Sequence, residues 1–237
     1  MSIGECAASK MPDAFGKCVG IFLTVATLLA SFPQLLKLLR AKSSVGVAPL
    51  TLALITTFGG ANLAGSLVAK WPQLQECSSS ANCVFLLLDV LQQLAAALVF
   101  STLLLVVVNL PPHSTWMKRC AAALTLLLNL MLALCACFLS VSHVCSPAAL
   151  SYSTAVSVVS AICAIIAYIP QLVDTWRCGG AGSLSPVFLA IQVIGSMLVN
   201  YNQIIVNKDP PAVWVPVMVS GLMQLMVLIL IGYYCWR

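Results

Sequence analysis

Residues 30–50 read ASFPQLLKLLRAKSSVGVAPL. The stretch follows an apolar run and sets a proline, a glutamine and the cations Lys37, Arg40 and Lys42 where a helix would otherwise continue. Residues 167–187 repeat the phrase as AYIPQLVDTWRCGGAGSLSPV. At an offset of 137 residues Pro33 falls on Pro170, Gln34 on Gln171, Leu35 on Leu172, Arg40 on Arg177 and Pro49 on Pro186. Gly59-Gly60 then matches Gly195-Ser196 at an offset of 136. Each copy is an apolar helix, a Pro-Gln pair, a short polar loop and a second helix that opens near a proline.

Of the 237 residues 61% are apolar and 7% charged, with a mean hydropathy of +1.05. A soluble domain of this length needs far more charge to cover its surface, so the chain reads as an integral membrane protein. Crossing a bilayer core takes roughly 20 apolar residues as a helix. Seven segments qualify, 14–34, 47–69, 83–108, 117–141, 149–172, 185–206 and 212–235, leaving almost nothing for a soluble domain. The expected fold is therefore all-α with seven transmembrane helices in a 3+1+3 arrangement. Residues 14–108 form the first three-helix repeat, 117–141 a connector helix, and 149–235 the second repeat. An odd connector gives the two trios the same orientation, related by an axis along the membrane normal. Two such bundles face to face enclose a cavity that rocking can expose to either side, which is the geometry of a carrier.

The eleven Lys and Arg against six Asp and Glu are spread among loops instead of lining one face, so no nucleic-acid partner is expected. Topology accounts for them better. With the N-terminus outside or lumenal and the C-terminus cytoplasmic, Lys37, Arg40, Lys42, Lys118, Arg119, Arg177 and Arg237 lie inside, and Lys10, Lys17, Lys70 and Lys208 outside. The first apolar segment is expected to be retained and not cleaved as a signal peptide: Leu28 and Leu29 fit a small-x-small site poorly, and the same helix recurs in mid-chain. Cys135, Cys137 and Cys163 lie mid-helix, where free cysteine packs as a small hydrophobe. Cys77 and Cys83, in the loop QECSSSANC, are either a short-loop disulfide or two thiols. No metal-ligand spacing occurs, no cofactor is expected, and no Asn-x-Ser/Thr is present.

Proline removes one backbone hydrogen bond and clashes with the carbonyl four residues earlier, so a helix bends or loosens there. In lipid the freed carbonyl needs a donor, and Gln34 and Gln171 carry amides at that point. One Pro-Gln alone could equally end a helix at the interface, where water meets the carbonyls. Because the phrase occurs twice, each time with a second proline sixteen residues on, we read Pro33, Gln34, Pro49, Pro170, Gln171 and Pro186 as hinge positions. A third Pro-Gln, KWPQL at 70–74, has no such sequel. It reads as the outer end of the second helix, with Trp71 as an interfacial anchor.

The doubled Pro-Gln-Leu, followed by a basic residue and a loop ending in VGVAP or GSLSP, resembles the PQ-loop family. That family comprises seven-helix proteins such as cystinosin-like lysosomal exporters, SWEET sugar carriers and mannose-phosphate-dolichol utilisation proteins. AKSSVG at 41–46, FGG at 58–60 and the ending DPPAVWVPVMVSG…YYCWR look most like the dolichol-sugar branch. The resemblance implies an endomembrane location (ER, Golgi or lysosome/vacuole) and flexing about four prolines. Proton-coupled relatives often place a carboxylate where this chain has Ile55 and Gln192, and neither can carry a proton.

Polar residues inside the membrane are the candidates for solute contact, since an ionised Asp at a helix centre costs about 2.5–3.5 kcal/mol on insertion scales. Asp89 is the one carboxylate expected well inside a span, six residues from its outer end, with Gln92 and Gln93 on the same face. Asn62 on the second helix, and Gln192, Asn200 and Asn202 on the sixth, add neutral amides, with Asn129 on the connector outside the cavity. Such amides suit sugars, zwitterions or other polyhydroxylated groups better than a bare ion. The competing reading of Asp89, Gln92, Asn62, Gln192 and Asn200 is hydrogen-bond glue between helices. Gly59, Gly60 and Gly195 read as close-packing positions.

No nucleophile-base pair or phosphate-cradling loop is present, so an enzyme is not expected, and a receptor has no need of a duplication with hinges in both halves. Two readings remain. One is a carrier for a small polar solute such as a sugar or amino acid. The other is a non-transporting endomembrane accessory for the use of a lipid-linked sugar. The oligomeric state is not readable.

Overall fold

The computed structural model describes residues 14–44, 47–76, 83–142, 146–179 and 186–235. The helices are α1 (Ala14–Ala41), α2 (Pro49–Glu76), the single turn α3 (Cys83–Leu86), α4 (Leu88–Asn109), α5 (Trp116–Ser142), α6 (Pro147–Cys178), α7 (Pro186–Tyr201) and α8 (Pro211–Cys235). Between α7 and the last loop lies a π-helical turn, Asn202–Val206. Among the described residues six helices are long and apolar enough to cross a membrane, and α1 adds the shorter apolar stretch Gly16–Leu29. The expected seven-helix membrane protein is therefore observed.

Sequence and structure part at the helix ends. α1 and α6 do not stop at Pro-Gln: α1 runs on to Ala41 and α6 to Cys178, with Pro170 inside it. A proline breaks one hydrogen bond, and the turns on either side still close their own. Pro49 and Pro186 open α2 and α7, where a proline's missing N–H costs nothing. α2 likewise passes through Pro72, so KWPQL does not end it. The expected span 83–108 is broken at Leu87, leaving Asp89 in the first turn of α4 and not six residues deep. α6 has sharp ends. Ser146 caps its start by accepting from the Ala149 N–H at 3.2 Å, and Gly179, at φ +62°, closes it in the left-handed conformation glycine favours.

Within each repeat the third helix sits between the other two: α4 packs on α1 and α2, and α8 on α6 and α7. The two trios meet broadly along α2 and α6, whereas α1 and α7 touch only over a short stretch. The connector α5 packs chiefly on α2. Leu38, Leu52, Leu103, Leu104 and Val107 form the apolar core of the first trio, with Ala122 of the connector packed against it. Leu189, Val227 and Ile231 form that of the second. The outward faces carry large apolar side chains such as Phe22, Leu124, Phe138 and Ile229, as a lipid-facing surface requires. At the end opposite the start of α1, buried Ser44 donates its N–H to the Pro111 carbonyl at 2.7 Å and its Oγ to those of Leu110 and Pro111, both at 3.1 Å. That pins the α1–α2 loop to the α4–α5 loop.

Close packing falls at Gly60 but not at Gly195. A Cβ at Gly60 would stand 2.5 Å from Asn129 Cγ, and one at Gly195 would meet nothing within 4 Å. The close approach in the second trio is Gly221 against Ser196, where a Cβ would come within 2.3 Å of Oγ. Asn129 lies against α2 and donates its Nδ2 to the Thr56 carbonyl at 3.2 Å.

Candidate functional site: a buried charged junction between the two trios

The last turns of α2 bring Lys70 into the protein with only 2% of its surface exposed. Its Nζ bonds Asp209, in the loop between the π turn and α8, and lies 3.4 Å from Asp89 Oδ2 at the start of α4. Asp89 accepts from both ends of the π turn, from Asn202 Nδ2 at 3.2 Å and from Asn207 Nδ2. A carboxylate in the first turn of a helix is favoured there by the helix dipole. The turn itself is held by the Asn207 N–H to the Asn202 carbonyl and the Asp209 N–H to the Gln203 carbonyl, both 2.8 Å. Lys70 and Asp89 belong to the first trio, while Asn202, Asn207 and Asp209 belong to the second. The cluster therefore ties the two trios together at the N-terminal face, where α1 begins.

Three charges meet here, two negative and one positive. Burial pushes the Asp209 carboxyl up to about 6 against the pull of Lys70, and the charge on Asp89 adds to the rise. Toward mid-membrane two further bonds cross the same seam, Ser153 Oγ to the Gly65 carbonyl at 3.2 Å and Ser160 Oγ to that of Phe58 at 2.9 Å. Ser66 and Asn62 lie one and two turns below Lys70 on α2, both buried, and their side-chain polar atoms have no partner among the described residues. Gln203 is fully buried with both amide atoms unpaired.

The sequence-derived candidates divide accordingly. Asp89 lies in the cluster, and Gln92 and Gln93 are buried just below it on α4. Asn62 lies about 12 Å from Lys70 along α2, and Gln192 about 15 Å from Asn202 along α7, so both sit near mid-membrane and apart from Asp89. Asn200 donates to the Ser196 carbonyl of its own helix at 2.8 Å, leaving Oδ1 unpaired. Gln171 is half-buried and makes no side-chain hydrogen bond among the described residues, so it does not take up the carbonyl that Pro170 frees. The side chains of Pro33, Gln34 and Cys83, and all of Cys77, lie outside the described residues.

Sequence reasoning missed Lys70, Asn207 and Asp209, which it treated as loop residues, and it took Trp71 for an interfacial anchor. Trp71 is instead half-buried, with its Nε1 enclosed and unpaired. The available signal was a lone cation in AKWPQ and a lone carboxylate in NKDPP, each beside apolar helix.

Residues 15–75 and 152–212 each match the PQ loop repeat. The chain belongs to the PQ-loop repeat family. The two matches begin 137 residues apart, the offset at which Pro33 falls on Pro170. The structure of this PQ-loop protein is similar to that of a eukaryotic SWEET transporter, with a TM-score of 0.54 and 16% sequence identity over 99% of each chain. At that identity the likeness concerns the fold, two repeats around a connector. No curated protein matches the chain. The narrower placement in the mannose-phosphate-dolichol utilisation branch gains no support from these comparisons.

Proposed function

We propose that this PQ-loop protein is a carrier that moves a small polar solute, such as a sugar or amino acid, across an endomembrane. It has the N-terminus lumenal, the C-terminus cytoplasmic and no enzyme activity of its own. The observation that carries the reading is the cluster of Lys70, Asp89, Asn202, Asn207 and Asp209. It is a releasable tie between two like-oriented trios at one face of the membrane. With the tie made, the lumenal end is shut. Breaking it lets the trios tilt apart there, about hinges at Pro33, Pro49, Pro170 and Pro186, with Gln34 and Gln171 next in the chain to the first and third. The SWEET transporter with the similar fold lends support.

In this reading the solute meets Asn62, Gln92, Gln192 and Asn200 below the tie, with Asp89 at its upper limit. A buried amide left unpaired costs about 1–3 kcal/mol, which a hydroxyl- or amide-bearing solute recovers when it binds. Asn62→Leu is therefore expected to leave the melting temperature unchanged or raised while flux falls. A clear drop in melting temperature would mean that Asn62 serves the fold and not the solute.

The direct test is uptake of labelled sugars and amino acids by the purified protein in liposomes. Flux through the wild type, reduced severalfold by Pro33→Ala combined with Pro170→Ala, supports the carrier. Absence of flux for every solute, together with defective lipid-linked glycosylation in cells lacking the protein, would replace it with the accessory role.

A further inference from the structure

Lys70 balances only one of the two carboxylates around it, so the closed junction buries one surplus negative charge. Asp209 is itself 9% exposed, and its Oδ2 has no hydrogen-bond partner among the described residues. Among the described residues the charged or titratable groups facing it are Lys70 from α2 and Asp89 from α4, and the π turn and the residue after it contribute the neutral amides of Asn202 and Asn207. Lys208, next in the loop, is exposed at φ +53°, and Lys17 of α1 is engaged over the Phe85 ring at 4.9 Å. A buried ion pair does not repay desolvation while a surplus charge stays uncompensated beside it, and a proton on Asp209 Oδ2 would remove that charge.

We propose that the junction is a proton-responsive latch: Asp209 takes one proton from the lumenal water when the trios close and returns it when they part. Acid on that face therefore holds the latch shut, and neutral pH loosens it. The proposal rests on reading the cluster as the tie between the moving trios.

The sign follows from linkage. Closed, Asp209 titrates at about 6. Open and hydrated, it returns to the ordinary carboxylate value of about 3.9. A group whose closed-state value is the higher one favours closure fully below about 3.9 and loses that contribution as the pH rises through about 6. Between pH 7 and pH 5 the open fraction is expected to fall about tenfold.

Hydrogen–deuterium exchange of the Asn207 and Asp209 amides reads this directly, because both are held by carbonyls of the π turn when the latch is closed. The protein is measured in lipid nanodiscs at each pH against Asp209→Asn, whose chemical exchange has the same dependence on hydroxide concentration but which has no proton to take up. The ratio of wild type to Asp209→Asn is expected to drop about tenfold from pH 7 to pH 5. Asp89→Asn removes the surplus charge while leaving the Lys70–Asp209 pair, and should shift the transition to lower pH. A constant ratio, a ratio that rises on acidification, or an unshifted transition in Asp89→Asn overturns the proposal. A normal latch response in a protein without solute flux would overturn the carrier reading and leave the latch standing, and flux without the response would do the reverse.

Discussion

Lys70→Met is expected to be the most damaging single substitution, destabilising the protein by about 3–5 kcal/mol, the usual cost of removing one partner of a buried ion pair. Lys70 is 2% exposed and holds two carboxylates that lie on different trios. Without it Asp89 and Asp209 face each other with no counter-charge in a site shielded from water. For a chain of this length a loss of that size lowers the melting temperature by about 10 °C. Thermal denaturation in detergent checks it, and combination with Asp209→Asn should recover more than half of the loss. If Lys70→Met melts like the wild type, the junction contributes nothing to holding the trios together. The variant should also melt higher at pH 5 than at pH 7, since Asp209, which burial holds above the ordinary carboxylate range even with Lys70 present, then takes up a proton.

The second large effect is expected at Gly60. A methyl group there would stand 2.5 Å from Asn129 Cγ and Oδ1 and 2.9 Å from its Cβ. Asn129 cannot retreat without giving up its bond to the Thr56 carbonyl, which joins the connector to α2. Gly60→Ala is expected to cost about 1–3 kcal/mol, the range for overpacking a filled interface. Gly60→Ala with Asn129→Ala should restore most of it by reopening the space. Gly195→Ala is the contrast. Nothing lies within 4 Å of a Cβ there, so removing a mid-helix glycine is expected to be neutral or stabilising by up to about 1 kcal/mol. Equal losses at the two glycines would mean that contact distance does not govern these positions.

These two positions also show how far the sequence could be read. Gly59-Gly60 and Gly195-Ser196 occupy matching places in the duplication and look alike as sequence, yet only the first copy has a connector helix against it. In the second trio the tight contact moved to Ser196 and Gly221. A repeat records common ancestry of the two halves but not the neighbour that only one of them has. Gly60 was legible as a packing position, while Gly195 needed its surroundings.

Asp89 was legible as a residue that matters, because a carboxylate next to an apolar run demands a partner. Its depth was not. The break at Leu87 lies inside an unbroken apolar string, where hydropathy carries no signal of a helix restart. Pro72 misled in the opposite direction, since proline before a polar loop suggests a helix end, yet α2 continues to Glu76 and keeps Lys70 inside the protein.

The seven spans, the duplication at an offset of 137, the like orientation of the two trios and the membership of the PQ-loop family all follow from the sequence. They depend on hydropathy, helix period and count, which are properties of segments read one at a time. The latch does not follow from it. Lys70 and Asp209 stand 139 residues apart, each on what looks like an ordinary loop. Only tertiary packing of α2 against the second trio turns two surface charges into a buried pair, because the strength of a charge interaction depends on the distance and the water between the groups, and neither is written in the order of residues along the chain.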